Sequence, residues 1–147
     1  MATRSSLPAA ALALIFVCLA GIHVYWMAGG RAGAGVAIPT VAGRPLFRPS
    51  RLATAAVALA LFVAATLALV AALGLAAGPV ARLLGCAHFV IAAIFLARAI
   101  GNFRTLGLFK KVSGTPFATW DTCLYVPLSL GICALSFWVA FVYSFDR

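Results

Sequence analysis

Four apolar stretches, Leu7 to Ala28, Leu52 to Ala77, Val80 to Ile100 and Leu124 to Phe145, take up most of the sequence. Each is long enough to cross a hydrocarbon core of about 30 Å as a helix. Inside lipid a single chain segment has few alternatives, because every backbone N–H and C=O must be paired within it. Charged residues make up 9% of the chain, against about a quarter in soluble domains. The fold class expected is therefore all-α: a polytopic membrane protein built as an antiparallel four-transmembrane-helix bundle. No Ser/Gly linker and no solenoid or heptad period divides residues 1-147, so they form one domain. Gly78-Pro79 combines a helix stop with a residue suited to a new first turn, which predicts a tight hairpin between the second and third spans. The third span is the shortest between charges, bounded by Arg82 and Arg98, whose long side chains can snorkel outward.

The basic residues are distributed unevenly. Eleven Lys and Arg face two acids, a net charge of +9. In a soluble domain that balance suggests nucleic acid, but here the cations sit between apolar runs and form no basic helix, so no nucleic-acid partner is expected. The first loop carries Arg31, Arg44, Arg48 and Arg51, and the third carries Arg98, Arg104, Lys110 and Lys111. Only Arg4, Arg82 and Arg147 lie on the other side. Short loops rich in Lys and Arg stay in the cytoplasm. Loops one and three are therefore read as cytoplasmic, close to anionic lipid headgroups, with both termini and the Gly78-Pro79 turn outside. The excess of Arg over Lys suits a bacterial genome rich in G and C, which makes the inner membrane the expected location. A secretory signal ending near Ala32-Gly33-Ala34 is the competing reading of the first span. It is weaker, because the apolar run exceeds a typical signal core and ends in aromatics suited to an interfacial belt.

Two repeated residue types have bland explanations as well as sharp ones. Ala56, Ala60, Ala64, Ala68, Ala72 and Ala76 recur every fourth residue, a small-xxx-small ladder that allows close backbone approach, although alanine is abundant throughout. Cys18, Cys86, Cys123 and Cys133 show no CxxC pair and no metal spacing with histidine, so no metal site is expected. They read as small buried apolar residues. The sharper alternative pairs Cys18 with Cys133 at similar depth.

The polar residues gather towards one end. His23, Tyr25 and Trp26 close the first span ahead of Gly29-Gly30-Arg31. An interfacial anchor accounts for the two aromatic rings. His23 lies deeper, where an ionisable group needs a partner. His88 reads as a neutral, hydrogen-bonded imidazole, and its depth separates it from His23. Arg98 and Asn102 share a face if the third helix continues past them. Asp121, the one acid near the bundle, suits two roles: N-cap of the fourth helix, or ion-pair partner of Arg98 or Arg104. Pro127 frees the carbonyl of Cys123 and predicts a kink near the start of that helix. Phe103, Phe109, Phe117, Trp120 and Tyr125 interleave with cations, as in a loop lying along the interface.

Taken together, His23-x-Tyr25-Trp26, Gly29-Gly30, Pro39, Gly43-Arg44-Pro45, the Arg98-Ala-Ile-Gly-Asn-Phe-Arg segment, Phe109-Lys110 and Phe117-Ala-x-x-Asp121-x-x-x-Tyr125-x-Pro127 resemble an uncharacterised family of small bacterial four-helix membrane proteins. That family is described only as a domain of unknown function. The resemblance implies the fold and carries over no catalytic residue.

Three functional readings fit these residues. In the first, a lipid or small hydrophobic molecule binds a polar and aromatic cluster of His23, Tyr25, Trp26, Arg98, Asn102, Arg104, Asp121 and Tyr125 at the cytoplasmic ends of helices 1, 3 and 4. In the second, the chain is a non-enzymatic subunit of a larger membrane complex, or a homo-oligomer, packed through its small residues. In the third it is a membrane enzyme, an isomerase or redox catalyst, with His23 paired to Asp121 or Tyr125 for acid–base work. No triad, carboxylate pair, phosphate loop or metal cluster names a reaction, so whether it is an enzyme stays open.

Overall fold

The computed structural model describes residues 5–145. Four helices are long and apolar enough to cross a membrane, the expected all-α bundle. The first, α1 (Ser6–Met27), leads into a short helix α2 (Ala34–Ala37) and a two-stranded hairpin, β1 (Thr40–Val41) against β2 (Arg44–Pro45). Ala42 and Gly43 both take positive φ at its turn, the geometry of a two-residue primed hairpin. Then come α3 (Arg51–Ala72) and α4 (Gly78–Ile100). The last span is continuous from α5 (Pro116–Trp120) through a π-helical turn (Asp121–Tyr125) into α6 (Val126–Phe145).

Local chemistry sets these ends. At the end of α1, Gly29 N–H bonds the Trp26 carbonyl and Gly30 N–H bonds the Tyr25 carbonyl, with Gly29 at positive φ. Gly74 closes α3 in the same way: its N–H bonds the Ala71 carbonyl, and Leu75 N–H reaches back to Val70. Both are Schellman closures, in which glycine takes the left-handed turn at little cost. At the start of α3, Ser50 Oγ accepts from Ala53 N–H at 3.1 Å.

Three expectations need correction. First, the second span stops at Ala72 rather than Ala77, because Gly74 terminates it four residues before the Gly78-Pro79 pair. The linker from Leu73 to Ala77 separates α3 from α4, and the two hardly touch. The close pairs are α1 with α3 and α4 with α6, joined through α1 and α6. Second, the last span begins at Pro116 rather than Leu124, capped by Thr115, whose Oγ1 accepts from Ala118 N–H at 3.1 Å. Asp121 is therefore not an N-cap but lies inside the helix. Six residues before Pro127 the helix widens into the π turn, with Val126 N–H bonding the Asp121 carbonyl. Third, the alanine ladder is buried only in part. Ala64, Ala68 and Ala76 are buried, whereas Ala56 and Ala60 face outward. A four-residue repeat drifts about 40° per step around a 3.6-residue helix, so the buried seam shifts to Ala58, Ala65 and Ala71. Tyr143, fully buried on α6, donates its hydroxyl to the Ala71 carbonyl at 2.8 Å and ties the end of α3 to the bundle.

The cysteines also depart from expectation. Cys18, Cys86 and Cys123 are exposed on the outside of the bundle, Cys133 is half-buried, and all four are free thiols. The Cys18–Cys133 bridge is not formed.

Candidate functional site

The eight residues expected to form one cluster divide into two groups at the same end of the bundle. One is centred on Asp121, the other on His23.

Asp121 is fully buried, in the π turn where the wider backbone sits against the loop after α4. Its Oδ1 accepts from Arg98 Nη2 at 2.7 Å. Its Oδ2 accepts from Gly107 N–H at 2.8 Å and lies 3.1 Å from Lys110 Nζ. Lys110 also donates to the Gly107 carbonyl at 3.2 Å. Of the two partners proposed from sequence, Arg98 makes the pair and Arg104 does not. Lys110, placed in the loop but not in the cluster, makes the second. Both carboxylate oxygens are thus committed to charge-assisted bonds, the strong kind. A carboxylate held between two cations and a backbone donor is a staple for the loop and is poorly suited to accept a proton in catalysis.

The loop itself is built on Asn102 and two glycines. The α4 helix ends at Ile100 and Gly101 turns to φ +82°, so Arg98 and Asn102 do not share a helix face. Instead Asn102 Oδ1 accepts from the backbone N–H groups of Arg104, Thr105 and Leu106, and its Nδ2 donates to Thr105 Oγ1 at 2.8 Å. One side chain satisfies three consecutive donors, as Asn does in tight turns. The chain then returns so that Gly107 crosses Gly101. A Cβ on Gly107 would overlap the Ile100 carbonyl and Gly101 Cα, and one on Gly101 would overlap Leu106 and Gly107 backbone atoms. Leu108 N–H closes the crossing on the Ala99 carbonyl at 2.8 Å. Phe103 and Phe109 stack on the outside, with ring centroids 5.6 Å apart.

The His23 group borders a cavity of about 460 Å³ between the end of α1, the α2 segment and the start of α3. His23 and Trp26 of α1, the alanines of α2, Phe47, and Arg51, Thr54 and Val57 of α3 line it. The size falls within the range of small-molecule sites, about 300–1,000 Å³. His23 Nδ1 lies 2.8 Å from the Leu19 carbonyl. A carbonyl only accepts, so Nδ1 carries the hydrogen and Nε2 is the acceptor of the neutral ring. The His23 ring meets Trp26 edge to face at 5.2 Å. Trp26 Nε1 donates to the Ala32 carbonyl at 2.8 Å, and Tyr25 Oη accepts from Ala32 N–H at 3.3 Å. The two aromatics therefore clamp the loop as well as marking the interface. Thr54 Oγ1 donates to the Ser50 carbonyl at 3.0 Å and keeps its lone pairs as acceptors.

Tyr125 joins the two groups. Its hydroxyl donates to the Val36 carbonyl at 3.2 Å, tying the last span to α2, while its ring packs against Phe117. Neither Asp121 nor Tyr125 lines the cavity that His23 borders. The acid–base pairings of His23 with Asp121 or Tyr125 are not assembled. Arg51 and Phe47, absent from the expected site, are the sequence's missed members; their only signal was their place in a basic loop. Deeper in the bundle, His88 is fully buried with Nδ1 on the Leu84 carbonyl at 2.9 Å, whereas its Nε2 is buried with no hydrogen-bond partner among the described residues, so the expected hydrogen-bonded imidazole is bonded through one nitrogen only.

The sequence matches, over residues 16–136, the family of proteins of unknown function DUF3995. Neither a curated protein nor a solved structure matched it.

Proposed function

We propose, for a chain that belongs to the DUF3995 family and so inherits no assigned activity, that it is a membrane protein whose cavity beside His23 and Trp26 holds a lipid or other lipophilic molecule. The observation that carries this reading is the cavity's lining. Apolar walls are joined by an imidazole, a hydroxyl and a guanidinium, the composition of a site for an amphiphile. The Asp121 staple supports the reading indirectly, because Tyr125 couples the ordered loop to α2, which forms one wall.

The test is native mass spectrometry of the full chain released from lipid nanodiscs. Wild-type protein is expected to retain about one small lipophile per chain, and Ala53→Phe, which places a ring in the cavity, is expected to lose it with melting temperature little changed. Retention by Ala53→Phe overturns the reading.

The same proposal places loops one and three at the cytoplasmic face of a bacterial inner membrane, among anionic headgroups. The helix order supports their sharing one face, since each follows an odd-numbered span. In a background lacking the four native cysteines, Ser50→Cys should be labelled by a membrane-impermeant thiol reagent only from the cytoplasm, and Ala77→Cys only from outside. Reversed labelling overturns the orientation.

A further inference from the structure

We infer that the lipophile held in the cavity carries an acidic group, a carboxylate or phosphate, and that Arg51, the first residue of α3 and part of the cavity lining, is its counter-ion. This rests on the proposed binding role and names the ligand's chemistry. The two basic loops, alike in carrying four cations each, differ in their charge neutralisation. In the loop after α4, Arg98 and Lys110 are paired with buried Asp121. In the loop after α1, none of Arg31, Arg44, Arg48 and Arg51 has a carboxylate partner among the described residues. The sequence has one other acid, Asp146, which lies outside those residues. Of the four arginines, Arg51 alone lines the cavity.

The remaining contacts fit one orientation. Arg51 opens α3, and Val57 lies six residues further along it, a rise of about 9 Å into the bundle. Phe47, Ala53 and Val57 supply apolar lining over that depth, together with His23 and Trp26. An acid at Arg51 therefore sits near the headgroup level while the ligand's apolar part runs inward past Val57. His23 Nε2 faces away from the Leu19 carbonyl that holds the other ring nitrogen, and accepts a hydrogen bond in its neutral form. A phospholipid and a free long-chain acid share the chemistry of an acid on an apolar chain.

The experiment titrates the detergent-purified full chain with dioleoylphosphatidylglycerol, dioleoylphosphatidylcholine, oleate and inorganic phosphate, read by native mass spectrometry. The acidic lipid or oleate is expected to bind one per chain about tenfold more tightly than phosphatidylcholine. Arg51→Gln should abolish that preference, Arg51→Lys should keep most of it, and Arg104→Gln should leave it unchanged. Phosphatidylglycerol bound in preference assigns the site to headgroups, and oleate alone assigns it to free acids. Preferential binding that survives Arg51→Gln overturns the inference, as does tight binding of phosphate alone. Equal binding of phosphatidylcholine and acidic lipids, lost in Ala53→Phe, overturns the acid preference but leaves the cavity reading standing. Binding indifferent to Ala53→Phe overturns the cavity reading itself.

Discussion

Asp121→Asn is expected to destabilise the protein more than any other single polar substitution. The change is nearly isosteric, so it alters charge and donor pattern rather than volume. Arg98 and Lys110 lose their only carboxylate among the described residues, and an amide that must present its NH₂ to one of these sites turns a donor towards donors. Removing one partner of a buried ion pair costs about 3–5 kcal/mol. Arg98 is 31% exposed and can recover some hydration, so the lower end, about 3 kcal/mol, is expected. In a chain of this size that corresponds to a fall of about 10 °C in melting temperature in detergent. Arg98→Gln should cost less, because Asp121 then keeps Lys110 and the Gly107 N–H. A melting temperature unchanged in Asp121→Asn would refute the staple.

Gly107→Ala is expected to disrupt the same loop by a different route. Gly107 has φ +89° and its missing Cβ is where the Ile100 carbonyl and Gly101 Cα lie. Left-handed backbone costs an L-residue about 1–2 kcal/mol, and forcing a methyl into packed backbone adds about 1–3 kcal/mol. Because backbone atoms on both sides cannot rotate away, the loop must open, and Gly107 N–H then leaves Asp121. Limited proteolysis between Asn102 and Lys111 should accelerate markedly in Gly107→Ala. Gly114→Ala serves as the control: it has positive φ but open space where its Cβ would be, so it meets only the first cost. Equal protease resistance in the two variants would refute the crossing.

The residues that were legible in advance share a property. Asp121 stands out because one acid among so many cations and apolar residues needs a partner, and an ion pair with Arg98 or Arg104 is one of the two roles its sequence position suggests. The choice of Arg98 and Lys110 over Arg104 was not legible, since it depends on how Gly101 and Gly107 cross. Asn102 was noticed for its spacing from Arg98, but its work is in the loop, where Gly101 ends the helix that this spacing assumed. His23 and Trp26 stand out in the sequence as residues needing an explanation, and the cavity beside them takes a third of its lining from α3, whose Ala53, Thr54 and Val57 carry no pattern of their own.

The number of spans, the all-α class and the polar end of the bundle follow from the sequence alone. They depend on hydrophobicity summed over about 20 residues and on the need to pair every backbone group in lipid, quantities that no tertiary contact reverses. Which helices pack together was decided only in three dimensions. Lipid is as apolar as the helix faces, so hydrophobicity cannot choose partners, and the choice falls to shape and to a few hydrogen bonds. Ala64, Ala65 and Ala68 on α3, Gly85 against Ala140 and Ser144, and the Tyr143 bond to Ala71 are such features. The π turn belongs with them, because a single extra residue in the helix brings Asp121 inward to Arg98, and only the finished packing holds it there.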